Sequence, residues 1–276
     1  MKIFAIMLVK NEADIVKHVL LSARKWADKI FVIDNDSTDG TWEIINSLAD
    51  NVIIIERQEK RTYNRDFRGE IFEKYKHLAT KDDWWAFSLD SDEFYVDNPK
   101  EFLANVPRKF HIVNKKSLDY CLTKEDLQEY EFTGDFEKDK EHLKYIKNPC
   151  WCEPRFFRHR DAIKWEFGKN LQCPHRLGVQ YPKYIIVKHY QNRSPAQMQK
   201  RLDLRNSLPE KKDGRCFHHV KETDFHELLG ERKNLVYDTG KISLYYNDKI
   251  LIPNNPVKQS ALKQFSLRVG IALGKF

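Results

Sequence analysis

Residues 29–49 read KIFVIDNDSTDGTWEIINSLA. Apolar, β-favouring residues run up to Asp34, polar turn formers follow, and helical spacing resumes at Trp42. A strand that passes to a helix through a short polar turn is the repeating unit of a parallel sheet. The same unit occurs on both sides. KIFAIMLV (2–9) is a strand suited to burial on both faces. It leads into NEADIVKHVLLSARKWA (11–27), a helix with Ile15, Val19, Leu20, Ala23 and Ala27 on one side. Asn11 is expected to cap that helix. WEIINSLA (42–49) is the next helix, NVIIIE (51–56) a third strand, RDFRGEIFEKYKHLA (65–79) a helix and WWAFSLD (84–90) a fourth strand. The expected fold is α/β: a mostly parallel, Rossmann-like mixed sheet flanked by helices, with right-handed crossovers.

Ligands of such sheets sit beyond the carboxyl ends of the strands. Those ends carry Lys10, Asn11 and Glu12; Asp34, Asn35 and Asp36; Glu56 and Arg57; and Asp90, Asp92 and Glu93. Crowded carboxylates repel one another unless a cation sits among them. Hard oxygen ligands select Mg²⁺ or Mn²⁺, and such an ion completes its shell with substrate phosphates. The rim therefore predicts a divalent metal gripping a diphosphate. A lone D-x-D is also a common turn. Its place after an apolar strand, with a second acidic group at another strand end, is what lends it weight.

Composition narrows the field. The chain has 276 residues, 41% of them hydrophobic, enough for a sizeable core. No apolar run reaches the length of a spanning helix, and MKIFAIMLVKNE reads as a first strand rather than a signal peptide. Five cysteines, an odd number, fit reduced thiols in a cytoplasmic setting. The net charge of +7 favours anionic partners without choosing among nucleotides, phospholipid head groups and nucleic acid. A nucleic-acid module would show a basic stripe interleaved with aromatics. Here the basic pairs Lys60–Arg61, Lys115–Lys116 and Lys211–Lys212 are short and scattered, so no nucleic-acid partner is expected.

Four segments carry a family resemblance: AIMLVKNEADIV (5–16), IFVIDNDSTDGT (30–41), YNRDFR (63–68) and FSLDSDEFY (87–95), with KHYQNRSPAQMQKR (188–201) further on. The sequence resembles the GT-A glycosyltransferases, and among them the inverting family two. That resemblance implies transfer of a sugar from a nucleoside diphosphate, of UDP or GDP type, to a glycan or lipid-linked acceptor hydroxyl. Surface polysaccharide, lipopolysaccharide or other glycan synthesis is the expected setting. It also implies roles for residues. Glu12, Asp34, Asn35 and Asp36 would hold the nucleoside; Arg65 and Arg68 would lie near the diphosphate; Asp90 and Ser91 would contact ribose or metal-bound water. Asp92, with Asp90 and His189, would bind Mn²⁺ or Mg²⁺. The family more often has two acids where this chain has Asp34 and Asn35, which bears on the choice of base. An inverting transfer needs one base, and Glu153 and Glu166 are the candidates. The aromatics near them (Trp151, Phe156, Phe157, Trp165 and Phe167) either stack a sugar or fill the core, mostly the latter.

Alternatives stay open. A sugar-phosphate nucleotidyltransferase would carry a glycine-rich phosphate loop after the first strand, whereas no glycine precedes Gly40. A non-catalytic glycan or RNA binder is the third reading. Cys150, Cys152, Cys173 and His175 are spaced too tightly for an ordinary structural zinc site; Cys216, His218, His219 and His226 form a looser group. Residues 114–148 are charged and weakly patterned, and read as an excursion over the site or as a surface insertion. One domain boundary is expected at 205/206, between a catalytic domain (1–205) and a mainly helical extension (206–276). Within the extension, SALKQFSLRVGIALGKF (260–276) is amphipathic. It would pack on the domain or on a second subunit of a homodimer, or lie peripherally on the inner face of an anionic membrane.

Overall fold

The computed structural model describes residues 1–58, 64–148, 150–207, 222–240 and 259–275. Its strands are β1 (Ile3–Val9), β2 (Lys29–Asp34), β3 (Ile53–Arg57), β4 (Trp84–Ala86), β5 (Glu93–Tyr95), β6 (Ile112–Cys121), β7 (Tyr145–Ile146), β8 (Trp151–Arg158), β9 (Gln180–His189) and β10 (Val236–Tyr237). Its α-helices are α1 (Val16–Ala23), α2 (Thr41–Ser47), α3 (Asp66–Tyr75), α4 (Pro99–Ala104), α5 (Lys124–Glu129), α6 (Phe136–Asp139), α7 (Pro195–Ser207) and α8 (Ala261–Ala272). Two compact units interleave along the chain. The first comprises Met1–Ser117, Trp151–Lys188 and Pro253–Phe276, and the second Leu118–Cys150 and His189–Ile252.

The first unit is built on a mixed sheet in the order β3-β2-β1-β4-β8-β6. The four strands from β3 to β4 are parallel, with Val9 opposite Asp34 and Asp34 opposite Arg57. β8 joins β4 antiparallel and β6 joins β8 antiparallel, while β9 pairs with β5 and β6. The run WWAF supplies the middle of the layer: Trp84, Trp85 and Phe87 are fully buried. Trp85 stacks on Phe4 at 5.0 Å, and Phe31 stacks on Tyr75 at 4.2 Å. α3 closes this face with Phe67, Ile71 and Phe72, and Trp165 covers Gly69. Each such side chain, fully buried, contributes about 1.5–3 kcal/mol.

In the second unit β7 pairs antiparallel with the end of β6 and with β10. Tyr120 stacks on Tyr190 at 4.6 Å and its hydroxyl donates to Asp238. Thr123 opens α5 with a capping box, its hydroxyl accepting from Asp126 N–H. α7 starts at Pro195, as the sequence predicts, and Gln197 N–H donates to Ser194 Oγ at 3.3 Å.

Several expectations need correction. Asn11 does not cap a helix. It sits at φ 55°, its side chain accepts from Thr38 N–H at 2.9 Å, and α1 begins only at Val16. The fourth strand keeps ladder pairing only over Trp84–Ala86, although Leu89 N–H still reaches Ile6 O at 2.8 Å. Residues 114–121, the start of the segment read as an excursion or surface insertion, belong instead to the long buried strand β6. Its Lys115 and Lys116 are buried, one in an ion cluster and the other over the Tyr184 ring, so hydrophobic periodicity could not reveal it. The compact units divide along the chain at 117/118, 150/151, 188/189 and 252/253. Lys60, Arg61, Tyr63, Lys211, Lys212, Cys216, His218, His219 and Phe276 lie outside the described residues.

Candidate active site

The carboxyl edge of the parallel strands gathers the expected residues from two loops that flank β1. On one side the β1–α1 and β2–α2 loops bind each other. Asn11 N–H donates to Ser37 Oγ at 3.0 Å, Glu12 N–H to Thr41 Oγ1 at 2.8 Å, and Lys10 Nζ to Asn35 O at 2.9 Å. Gly40, at φ 96°, makes the turn into α2, a conformation that disfavours any side chain. Asp34 is fully buried; its Oδ2 accepts from Ser37 N–H at 3.1 Å and lies 3.6 Å from Arg57 Nε. Arg57 also lies 3.7 Å from Asp36 and over the Trp42 ring. Asp34 Oδ1 and Asn35 Oδ1 are buried acceptors with no hydrogen-bond partner among the described residues. Buried acceptors left in this state are costly, and a ligand donor would satisfy them.

On the other side of β1 lies the segment after β4, two strand spacings or about 10 Å from β2. Asp90 accepts from Ser88 Oγ at 2.8 Å and faces Arg68 at 3.5 Å, Arg155 at 3.1 Å and Lys115 at 3.9 Å. Arg155 also holds Glu93 at 3.2 Å and Glu153 at 2.8 Å, and donates to Ser88 O. Lys115 pairs with Glu93 and lies 3.1 Å from Glu153. The cations expected among crowded carboxylates are therefore supplied by the chain itself. Burial raises the carboxyl of Asp90, but Arg155, Lys115 and Arg68 outweigh it and hold the group far below the usual carboxylate range. Burial likewise raises Glu153, and Arg155 and Lys115 bring it down to about 2. Ser91 and Asp92 are buried beside this cluster.

Arg155 reaches the cluster because of a β-bulge. Val113 pairs with Phe156 and Asn114 with Pro154, so Arg155 is an extra residue with no partner on β6. A bulge re-aims a side chain, and proline is tolerated at one. Pro154 inside an apolar strand is the sequence signal that marks this place.

The remaining candidates are placed as follows. Arg65 is exposed at the start of α3, its N–H donating to Asn170 Oδ1 at 2.9 Å. Glu166 is half-buried, with Lys169 at 2.5 Å and His175 at 3.3 Å, and the Lys169 hydrogen bond lowers its pKa. Of the aromatics, Phe156, Phe157 and Trp165 are core, while Trp151 and Phe167 are about half exposed. His189 belongs to the second unit, where its Nδ1 lies 2.7 Å from Asp119 Oδ1. Cys121 and Cys173 are free thiols, and Cys150 and Cys152 are buried.

Asp90 and Asp92 offer a divalent ion the right kind of donor, hard oxygen, and Asp90 is held ionised. In number they offer little: among the described residues no three His, Cys, Asp or Glu side chains gather for a metal. They fit an ion that rests on one or two carboxylates and takes its other ligands from phosphate and water, the habit of Mg²⁺.

Residues 4–164 match the model of glycosyl transferase family 2. An uncharacterized glycosyltransferase of Rickettsia bellii (strain RML369-C) is 30% identical over 93 residues, which are 33% of this chain and 28% of that protein. The match thus spans little more than a quarter of that relative's length. The solved structure of a 4-diphosphocytidyl-2C-methyl-D-erythritol synthase shares 12% identity at a TM-score of 0.32. It covers 57% of this chain and 75% of its own, a likeness too slight to carry an argument.

Proposed function

The chain belongs to glycosyl transferase family 2, and from that premise we propose that it moves a sugar from a nucleoside-diphosphate donor to an acceptor hydroxyl. The observation that carries this reading is the ionised Asp90, braced by Arg68, Lys115 and Arg155 on the same sheet edge as Asp34. Asp34, Asn35 and Asp36, with Glu12 nearby, take the nucleoside; the unpaired buried oxygens of Asp34 and Asn35 favour a ligand rich in N–H or O–H donors. The donor is of UDP or GDP type. Asp90 and Ser91 meet the ribose side, and Arg65 and Arg68 offer positive charge to the diphosphate.

Asp92, with Asp90, would hold Mn²⁺ or Mg²⁺, and the bound ion would supply Lewis-acid stabilisation of the leaving diphosphate. His189 lies in the second unit, where its pairing with Asp119 is of the kind that orients a metal-ligating imidazole. Breaking the anomeric carbon–oxygen bond puts extra charge on the leaving group, and groups that meet that charge only as it forms accelerate the step. In an inverting course one base takes the acceptor proton as the hydroxyl attacks. Glu153, with a pKa of about 2, is too weak a base for that work and serves as a clamp on Arg155 and Lys115. We assign proton removal to Glu166, whose ion pairs are exposed and weak. Trp151, half exposed beside Glu153, gives an acceptor sugar a face to stack on, which suits a glycan or lipid-linked acceptor of a surface-glycan pathway.

Calorimetry tests the reading. UDP or GDP should bind with Mn²⁺ or Mg²⁺ and lose most affinity in EDTA, and Asp92→Ala should remove that metal dependence. Binding of neither nucleotide under any metal condition would defeat it.

A further inference from the structure

Helix α8 carries apolar residues on both of its sides. Toward its own unit it turns Leu267, Gly270 and Ile271, which are buried or half-buried. Just before it, Gln259 donates to Gly178 O and accepts from Gln180 N–H, both at 3.0 Å, so its approach is tied to the start of β9. Away from the unit it turns Leu262, Phe265, Val269 and Leu273, which are 79%, 66%, 41% and 63% exposed. Their spacing of three, four and four residues keeps them on one stripe. A contiguous apolar stripe in water marks a place where something docks.

The charges say what docks. At 100° per residue Lys263 falls on one flank of the stripe and Arg268 on the other, and Lys275 follows just past the last turn. Residues 259–276 contain no acid at all, in a chain of net charge +7. A second copy laid on this stripe would set the same cations against each other with no carboxylate on either helix to answer them. An anionic surface answers all three. Long cationic side chains beside an apolar stripe can keep their stems in the apolar layer and their heads among phosphates.

We propose that the exposed face of α8 docks this protein on an anionic phospholipid bilayer, lying in the interface with Leu262, Phe265, Val269 and Leu273 inserted. The proposal stands apart from the sugar-transfer reading, since it needs no residue of the sheet edge. It requires no spanning segment, and among the described residues no helix is long and apolar enough to cross a membrane.

Flotation of the full chain with vesicles tests it. Phosphatidylglycerol–phosphatidylcholine vesicles should carry the protein to the top of the gradient, and phosphatidylcholine alone should not. Leu262→Ser with Phe265→Ser should weaken binding at least about tenfold. Lys263→Glu with Arg268→Glu should do the same, and 0.5 M salt should mimic it, as roughly expected for electrostatic attraction to anionic lipid. These side chains are exposed, so melting temperature should hold in both double variants, which separates lost docking from lost folding. Failure to float with anionic vesicles overturns the proposal. So does a dimer seen by light scattering that the serine variants dissociate while vesicle binding is unchanged, since the stripe then belongs to a second copy.

Discussion

Replacing Arg155 by methionine tests whether the buried ion cluster holds the first unit together. The side chain is fully buried and serves Asp90, Glu93, Glu153 and the Ser88 carbonyl at once. Methionine fills much of the space and removes the charge. Three carboxylates then share Lys115, with Arg68 reaching only Asp90. Breaking a buried pair by removing one partner costs about 3–5 kcal/mol. For a protein of this size that corresponds to a melting temperature lower by about 6–20 °C. Scanning calorimetry at pH 7.5 reads it directly. The deficit should shrink as pH falls. In the parent, Glu153 is depressed to about 2 from an ordinary 4.5, so its contribution is complete above 4.5 and fades as pH drops toward 2. In the variant the stranded carboxylates take up protons at higher pH, and acid relieves them. Adding Glu153→Gln to Arg155→Met should therefore recover part of the loss, the double variant falling short of the summed singles by about 1 kcal/mol or more. A melting point within about 2 °C of the parent, or strict additivity, would refute the reasoning.

Two further variants probe other contacts. A Cβ at residue 69 would lie 2.6 Å from Cγ and Cδ1 of Trp165, so Gly69→Ala should cost about 1–3 kcal/mol through overpacking; an unchanged denaturant midpoint would show that Trp165 does not pack there in solution. Tyr120→Phe removes the hydroxyl that donates to Asp238 and should cost the second unit about 1–3 kcal/mol by the same measurement, and a neutral result would count against that buried bond.

The parallel half of the sheet was legible because its signals are local. Apolar runs of strand length, the turn formers of DNDSTDG and the helical spacing after them all lie within neighbouring residues. The acidic rim was legible for the same reason, since strand ends were already placed. The cations that complete it were not. Arg68, which faces Asp90, was among the residues singled out, but Lys115 and Arg155 come from antiparallel strands far along the chain. Lys115 and Lys116 looked like a solvated pair, because a buried lysine announces itself only through partners that folding brings to it. Glu153 was picked out by its position, while the cations that bring its carboxyl down to about 2 come from residues that folding gathers.

The bulge at Arg155 makes this centre depend on counting as well as on chemistry. On a strand, sidedness follows odd and even positions, and one supernumerary residue inverts the assignment for everything beyond it. With it, Glu153 stands across from Lys115, and Phe156 and Phe157 stay in the apolar layer. Excising Pro154 would restore regular alternation: Glu153 would stay across from Lys115, and Arg155 would fall opposite Asn114 and turn to the other face, away from Lys115. The ledger of ionic partners on this border can thus be undone by a deletion that leaves every charged side chain in the gene.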